Sequence, residues 1–422
     1  MTLTADTAPA VPRTNRSLAS VVFVDGVRTP FGKAGGAYAE TRADDLVVRV
    51  IRELLRRNPG LAPAEVDDVA IAAATQSGDQ GMLLGRSAAL LAGLPASVPG
   101  YSIDRWCAGA MTAVTTVAAS VAVGTNDVAI AAGVEHMGRH PIGDGLDPNP
   151  RFLAERLVDP AALSMGATAE NLHDQFPALT KQRADAYAAA SQHRTAKAYA
   201  NGLIQPDLVP MATRSAEHGW GLLTVDEPPR PDTTIEGLAK LRTPFRPYGR
   251  VTAGNSSGLN DGATGAIIAA EDVAIAHGLP RKMRMVTYAF AGVGPEVMGY
   301  GPVPSTQKAL DHCGLTIDQI GLIEINEAFA VQVLAFLDHF GIADDDERVN
   351  PMGGAIAVGH PLASSGIRLM INLARSFERH PEVRYGLTTM CIGLGMGGTV
   401  IWENPHHPDY RPALDGSLAG AA

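Results

Sequence analysis

Short apolar runs alternate with helix-length, alanine-rich segments along most of this chain. The runs read VVFVDGV from residue 21, DDVAIAAAT from 67, DVAIAAGVE from 127 and GAIIAA from 265. Runs of this length, rich in Val, Ile and Ala and separated by helices, are typical of buried strands in an α/β fold. Because strands covered on both faces are typical of parallel sheets, the pattern predicts a largely parallel sheet.

The second half of the chain repeats this layout. LTIDQIGLIEINEAFA from residue 315 echoes APAEVDDVAIAAAT from 62, and RYGLTTMCIGLG from 384 stands where NDVAIAAGVE stands in the first half. We interpret the repeat as a duplicated α/β half. Between the halves the pattern changes to polar helices and proline-rich turns such as DEPPRPDTT, which predicts an inserted domain.

These patterns predict five parts of the chain. In order, they are a flexible tail at 1–17, a first half at 18–136 completed by 251–280, an inserted loop domain at 137–250, a second half at 281–404, and a flexible tail at 405–422. The first tail lacks the apolar stretch of a secretory signal. The length of 422 residues also exceeds what one hydrophobic core usually serves.

Charge and cysteine usage narrow the function classes. The formal net charge of −10 argues against non-specific binding to nucleic acid or to an anionic membrane surface. No apolar run reaches the ~18 residues that a membrane span needs. The three cysteines form no C-x-x-C pair, which supports neither a disulfide framework nor a metal site. We therefore expect a cytoplasmic protein without nucleic-acid or membrane partners.

One basic stretch stands out in this acidic chain. Residues 238–250 carry Lys240, Arg242, Arg246 and Arg250 with no acid among them. A basic stretch is usually a solvated face, but this one is also the best local candidate for an anionic ligand such as a nucleotide phosphate.

Cys107 and His360 are the first candidates for chemistry. A free cysteine is most often a small buried residue, yet Cys107 precedes an alanine-rich helical segment whose N-terminus would favour a thiolate. His360 follows the glycines of NPMGGAIAVGHP, which allow close approach of the backbone to a substrate. His360 would suit a base that takes the proton of Cys107, although a lone His is more often structural.

Two further side chains lie where α/β enzymes place reacting groups. Cys391 ends an apolar strand and is followed by four glycines within seven residues. Asn326 ends another apolar run, where capping of the next helix would be a sufficient role. The glycine-rich loops match neither the P-loop pattern nor the dinucleotide fingerprint, so nucleotide hydrolysis and hydride transfer are poorly supported.

Taken together, these stretches resemble the thiolase family over residues 20–403. The resemblance also includes VRTPFGK near the start, SMGATAENL from 164, RVTAGNSSGLNDGA from 250, NEAFA from 326, GGAIAVGHP from 353 and CIGLGMGG from 391. It implies two similar halves in an α-β-α-β-α sandwich with an inserted loop domain.

The resemblance also implies a role for each candidate. Cys107 would carry the acyl group as a thioester, His360 would activate it, and Cys391 would move the proton at the α-carbon of the acetyl unit. Asn326 would hold a water that forms one oxyanion hole with His360, and the N–H groups of Cys107 and Gly393 would form the second.

Further residues are similar to those that contact the substrate in this family. Arg230 and Ser257 would contact the nucleotide and pantetheine of CoA, and Met165 and Met298 would line the substrate channel. The resemblance implies no permanently bound cofactor, with CoA and acyl-CoA as substrates. It also implies a homodimer or homotetramer, and a hydratase/dehydrogenase subunit of fatty-acid β-oxidation is a further candidate partner.

The implied function is thiolytic cleavage of 3-ketoacyl-CoA in β-oxidation. A biosynthetic acetoacetyl-CoA thiolase and a non-catalytic CoA-binding subunit are the alternatives, and a cysteine hydrolase is disfavoured by the second cysteine. Several positions depart from the family pattern and bear on acyl-chain preference: Asp104, Ala108, Gly109, Ala110, His136, Gly138 and Ala363. An inward-pointing Asp104 would raise the pKa of Cys107.

Overall fold

The computed structural model describes residues 18–145, 147–215 and 219–412. The strands are β1 (Val21–Arg28), β2 (Gly32–Lys33), β3 (Asp68–Ala72), β4 (Tyr101–Ile103), β5 (Val128–His136), β6 (Met211–Ser215), β7 (Gly219–Leu223), β8 (Asn260–Ala270), β9 (Met283–Gly292), β10 (Ile320–Ile325), β11 (Tyr385–Ile392) and β12 (Met396–Glu403). The helices are α1 (Ala43–Arg57), α2 (Leu84–Ala92), α3 (Gly109–Ala122), α4 (Arg151–Ala154), α5 (Met165–Gln175), α6 (Lys181–Ala200), α7 (Ile235–Ala239), α8 (Glu271–Ala276), α9 (Pro302–Cys313), α10 (Ala330–Phe340), α11 (Ala355–Val358) and α12 (Ser365–Arg379).

The main sheet is mixed rather than largely parallel, so that prediction was wrong. Its strand order is β10-β11-β12-β9-β1-β8-β5-β3-β4, with β2 beside β8. Among the described strands, only the pairs β10–β11, β3–β5 and β3–β4 are parallel. The reason is connectivity, because the three residues between β11 and β12 permit only an antiparallel return.

The duplication is visible in the strand order. The first half reads β3-β5-β8-β1 and the second β10-β11-β12-β9, so successive strands of each half occupy matching places. The two halves meet where β1 pairs with β9, through Val22 opposite Arg284 and Phe23 opposite Met283. The repeated apolar pattern therefore corresponds to a repeated unit of structure.

Helices cover both outer faces and fill the space between the halves. α1 packs on the outer side of the first half and α9 on the outer side of the second, while α3 and α12 pack against each other in the middle. The central core joins residues of α3 and α12 to residues of β1, β8 and β12. This arrangement is the predicted α-β-α-β-α sandwich.

The chain between β5 and β8 contains helices α4 to α7 and the hairpin of β6 and β7. A buried bidentate pair between Arg28 of β1 and Asp226 fixes this segment to the sheet, with N–O distances of 2.6 and 2.8 Å. No helix in the described part of the chain has the length and apolarity needed to cross a bilayer.

The predicted tails fall largely outside the described residues. The tail at 1–17 lies outside them entirely. Within the segment predicted as the second tail, residues 405–412 are described, and Tyr410 is buried with its hydroxyl donating to Glu271. The packed chain therefore extends at least to Tyr410.

Candidate active site

Cys107 lies in a tight turn that leads into α3. The 3-10 turn Trp106–Ala108 directly precedes Gly109, the first residue of α3. Trp106 has φ +44°, a left-handed conformation that a bulky residue adopts only when its surroundings enforce it. A Cβ at Gly393 would collide with the Trp106 ring, so the absence of a side chain there lets the turn close.

The Cys107 thiol is neutral at rest, contrary to the expected thiolate. Burial raises its pKa to about 12, and the negative charges of Glu135 and Asp104 add to the increase. The N–H groups of Gly393 and of Cys107 itself point at the sulfur and lower the pKa in part. Desolvation exceeds the effect of these donors, so the helix N-terminus does not produce a resting thiolate.

His360 is a buried, neutral imidazole held by Asn260 and Ser365. It follows Gly359, whose φ of +101° suits glycine, and its backbone N–H donates to Asn260 Oδ1 over 2.9 Å. His360 Nδ1 lies 2.6 Å from Ser365 Oγ. Burial lowers the pKa of His360 to about 3, and the nearby Arg368 cation lowers it further. The ring is therefore available as a base.

Asn326 joins this imidazole, and the helix-cap interpretation of it was wrong. Its backbone N–H donates to Thr389 O of β11, and its Nδ2 lies 3.3 Å from His360 Nε2. Its Oδ1 accepts a 3.0 Å hydrogen bond from Arg368 Nη2. The N-cap of the following helix is Phe329 instead. Both ends of the Asn326 carboxamide thus contact residues of the site rather than the following helix.

Cys391 is the second thiol of the site. It is the penultimate residue of β11 and only 1% exposed, within the apolar cluster that also holds Met298. Burial raises its pKa above the usual value, and the proximity of Cys107 adds to the increase. The two thiols therefore lie near each other, and each disfavours ionisation of the other.

The elements that carry these residues pack together at one place. The turn of Cys107 contacts β11, which carries Cys391, and it contacts the turn Leu362–Ser364 just after His360. The arrangement holds two neutral thiols, a neutral base, a carboxamide donor and two backbone N–H donors in a buried setting. Such a set can form a covalent intermediate and stabilise an oxyanion.

The four predicted substrate contacts divide into two groups. Met165 at the start of α5 and the buried Met298 both pack in the apolar cluster of Cys391. The N–H of Ser257 donates to the carbonyl of Ala328, two residues beyond Asn326. Arg230 lies further out, with its side chain exposed and its N–H bonded to Gln192.

The basic stretch at 238–250 is only partly free to bind an anion. Arg246 and Arg250 both pair with Asp174, and Arg250 further donates its backbone N–H to Glu170. Their charges are therefore compensated within the protein, which corrects the prediction for these two residues. Lys240 and Arg242 are exposed.

The sequence interpretation missed the polar residues that hold the candidate side chains in place. Ser365 and Asn260 hold His360, and Arg368 holds Asn326. Glu135, fully buried at the end of β5, accepts from the N–H groups of two different loops. The one available signal was position, since Glu135 ends a strand and Ser365 begins a helix beside the candidate His.

Three departures from the family pattern are built into this packing. The N–H of Ala363 donates to Glu135 Oε2 over 3.1 Å. His136 is buried with Nδ1 3.3 Å from Asp261 Oδ1, and the N–H of Gly138 donates to the same oxygen over 2.9 Å.

No cluster of His, Cys, Asp and Glu suited to a metal ion occurs in the described ranges.

Comparison with known proteins covers nearly the whole chain. The family model for the thiolase N-terminal domain matches residues 21–272, and the model for the thiolase C-terminal domain matches 279–404. The chain is 44% identical over 395 residues to the 3-oxoadipyl-CoA/3-oxo-5,6-dehydrosuberyl-CoA thiolase of Escherichia coli (strain K12), covering 90% of this chain and 98% of the relative. It is 42% identical over 385 residues to the 3-ketoacyl-CoA thiolase of Pseudoalteromonas translucida, with the same coverage of 90% and 98%.

Solved structures agree with the sequence comparison. The Bacillus anthracis acetyl-CoA acetyltransferase superposes with a TM-score of 0.83 at 35% identity, over 92% of this chain and 100% of that chain. Human mitochondrial 3-ketoacyl-CoA thiolase superposes with a TM-score of 0.83 at 33% identity and the same coverage.

Proposed function

Because this chain belongs to the thiolase family, an acyltransferase kind of enzyme, we propose that it cleaves 3-ketoacyl-CoA with CoA to acetyl-CoA and a shortened acyl-CoA. One observation carries the proposal: the turn of Cys107 packs both on β11, which carries Cys391, and on the turn that follows His360, whose Nε2 lies 3.3 Å from Asn326 Nδ2. A hydrolase needs one thiol, whereas cleavage of a carbon–carbon bond needs a nucleophile and a separate proton donor.

In the first half-reaction, Cys107 attacks the keto carbon. The Cys107 proton passes to His360 Nε2, the new S–C bond forms, and the carbonyl electrons move onto oxygen. Collapse of this alkoxide breaks the bond between C2 and C3, leaving the acyl group on Cys107. The electron pair remains on the acetyl-CoA enolate, whose C2 takes the proton of Cys391.

In the second half-reaction, CoA removes the acyl group. The CoA thiol gives its proton to the Cys391 thiolate, and the CoA sulfur attacks the thioester on Cys107. Cys107 leaves as a thiolate and regains its proton from His360. Both thiols and the imidazole return to their neutral resting states, which is the state that their burial favours.

Two sets of donors would stabilise the negative charge. The N–H groups of Gly393 and Cys107 point at the reacting sulfur, where the oxygen of the acyl group on Cys107 develops charge. His360, once protonated, and a water held by Asn326 would stabilise the enolate oxygen of acetyl-CoA. Both sets are buried, which strengthens each hydrogen bond.

A second candidate substrate has a distal carboxylate. The Escherichia coli relative at 44% identity is named a 3-oxoadipyl-CoA thiolase, and a Pseudomonas aeruginosa relative at 42% identity a beta-ketoadipyl-CoA thiolase. Condensation of acetyl-CoA is a third possibility, since the superposed Bacillus anthracis protein is an acetyl-CoA acetyltransferase. We place these behind cleavage of unsubstituted 3-ketoacyl-CoA as the primary proposal.

The experiment compares matched substrates on one enzyme preparation. Cleavage of acetoacetyl-CoA, 3-oxohexanoyl-CoA and 3-oxoadipyl-CoA is followed with CoA present, and intact mass is recorded to detect the acyl-enzyme. The two six-carbon substrates differ only in the distal carboxylate, so their kcat/KM ratio measures that preference directly. An acyl adduct with cleavage supports the proposal, whereas CoA binding without adduct or cleavage would replace it by the non-catalytic subunit.

We also propose that the protein works in the cytoplasm as a homodimer or homotetramer, taking CoA as substrate and no permanent cofactor. Light scattering of the purified protein decides the oligomeric state. Copurification with a hydratase/dehydrogenase subunit would identify the β-oxidation partner.

A further inference from the structure

Arg368 is a buried cation for which the proposed reaction has no assigned role. Its side chain lies on α12, the residue is 1% exposed, and its Nη2 donates to Asn326 Oδ1 over 3.0 Å. Within the described ranges, its Nε and Nη1 have no hydrogen-bond partner and no carboxylate pairs with it within 4 Å. Arginine is almost never buried in this way without a compensating partner.

The carboxylates around Arg368 compensate it only at a distance. Glu324 is nearest in charge effect, but burial raises its own pKa to about 8, so much of it is protonated near neutral pH. Glu327 is occupied by hydrogen bonds from Tyr187, Ser191 and Asn350. Arg368 therefore acts mainly on two groups: the Asn326 carboxamide, which accepts its hydrogen bond, and the His360 imidazole, whose pKa it lowers.

The hydrogen bonds beyond Arg368 have only one consistent direction. A guanidinium only donates, so Asn326 must turn Oδ1 toward it and Nδ2 toward His360 Nε2, 3.3 Å away. An amide N–H donates, so His360 Nε2 must present its lone pair. The ring proton then lies on Nδ1 and points to Ser365 Oγ at 2.6 Å, whose hydroxyl donates to Pro361 O at 3.0 Å.

We propose that Arg368 is a positioning residue that orients the Asn326 carboxamide and thereby selects the His360 tautomer able to take the Cys107 proton. Without Arg368, the carboxamide can turn over and present Oδ1 to the ring, because its two ends are nearly equal in shape. The ring would then carry its proton on Nε2 and could not accept another there. This inference rests on the proposed thiolase reaction.

The test compares full-length variants that separate charge, donor and volume. Arg368→Met removes both the charge and the hydrogen-bond donors. Arg368→Lys keeps the charge but replaces the planar guanidinium by an ammonium group. Glu324→Gln is the matched control, because Glu324 is the neighbouring carboxyl on the other side of Arg368. Thermal unfolding checks each variant first. Cleavage of acetoacetyl-CoA then gives kcat, KM and the pH dependence of kcat/KM.

For Arg368→Met we expect kcat to fall about 10- to 100-fold with KM nearly unchanged, as is typical when a residue that orients a functional side chain through a hydrogen bond is lost. Removal of the cation favours the imidazolium, so the acidic limb of the kcat/KM profile moves to higher pH. Arg368→Lys should recover part of kcat and keep the acidic limb of the wild type. Glu324→Gln should stay within about twofold, because the carboxyl it replaces is largely protonated near neutral pH.

A double variant decides whether Arg368 acts through Asn326. If it does, Asn326→Ala combined with Arg368→Met is no slower than Asn326→Ala alone. Effects that multiply, or a folded Arg368→Met variant with unchanged kcat and acidic limb, would overturn the inference. If Arg368→Met does not fold, the same comparison is made with Arg368→Lys. Failure of the wild type to form an acyl-enzyme would instead overturn the proposed function, so the two failures are distinct.

Discussion

The ends of β5 and β11 occupy matching places in the two halves and carry different chemistry. The penultimate residue is Glu135 in β5 and Cys391 in β11, and each lies opposite a glycine of the next strand, Gly262 and Gly397. One duplicated position thus holds a carboxylate in the first half and a thiol in the second. The backbone frame is repeated, but the reactive group is not.

The partners of these two residues explain the difference. Glu135 accepts hydrogen bonds from the backbone of Ala74, Thr75 and Ala363 and from the Gln80 side chain. Cys391 lies in an apolar cluster and close to Cys107. The comparison teaches that the first half holds the loops in place at this position, while the second half places there the thiol that we propose as proton donor.

The largest effect is expected at Cys107, the nucleophile that we propose for the first half. Cys107→Ala should remove the acyl-enzyme and reduce kcat by about 10⁴-fold or more, as loss of a nucleophile does elsewhere. Intact mass after incubation with acetoacetyl-CoA measures the adduct. Cys313→Ala is the control, since that thiol donates to carbonyls within α9. An adduct that persists in Cys107→Ala would move the nucleophile to the other half.

Replacing each of the matching residues tests the comparison directly. Cys391→Ala should slow cleavage by about 10²- to 10⁴-fold, because the enolate and the incoming CoA thiol lose their proton partner. Glu135→Gln should instead lower the free energy of unfolding by about 1–3 kcal/mol, since one end of the amide faces N–H donors. Urea unfolding and cleavage rates measure both. A reversed pattern would contradict the assigned roles.

The pKa values of the buried histidines in the two halves are shifted in opposite directions, so the two rings should protonate at different pH values. Burial depresses the pKa of His360 to about 3, whereas Asp261 outweighs burial and raises the pKa of His136 above its usual value. The base must be unprotonated, so the acidic limb of kcat/KM should lie well below pH 6.5. Initial rates measured over a series of pH values give this limb. His136→Asn is the control, and its acidic limb of kcat/KM should lie at the same pH as that of the wild type. A limb near 6.5 would show that His360 is not the base in this form.

The smallest effect is expected at Asp104. Its Oδ1 accepts from the N–H of Trp106 over 2.7 Å, and its charge is the weakest of the named contributions to the pKa of Cys107. Asn keeps the acceptor and removes the charge, so Asp104→Asn should change kcat by no more than about twofold. Steady-state kinetics at fixed pH are sufficient, and a tenfold change would mean that Asp104 belongs to the reacting set.

Residue type and position along the chain were enough to single out the residues that the structure brings together in the proposed site. Asn326 and Cys391 end apolar runs, Cys107 precedes an alanine-rich helical segment, and His360 follows a glycine-rich loop, so the sequence singles them out. The direction of the strands could not be read in this way. Strand direction depends on how the chain returns, and both parallel and antiparallel buried strands read as continuous apolar runs.

The residues that hold the site could not be predicted from the sequence. Arg368 and Arg375 are both arginines on α12, and no motif in the sequence singles out either one. In the folded protein Arg368 is buried beside Asn326, whereas Arg375 pairs with Asp207. The packing of the helix distinguishes the arginine that donates to the proposed site from the one that forms a salt bridge.

The central contact between α3 and α12 also has a consequence for the protein during its synthesis. α3 ends at Ala122, whereas α12 begins only at Ser365. At about 5–20 residues per second, the ribosome needs some tens of seconds to make the helix that covers α3. During that interval the apolar inner face of the first half has no partner from its own chain. We expect the nascent protein to be most prone to aggregation, and most dependent on chaperones, before α12 emerges.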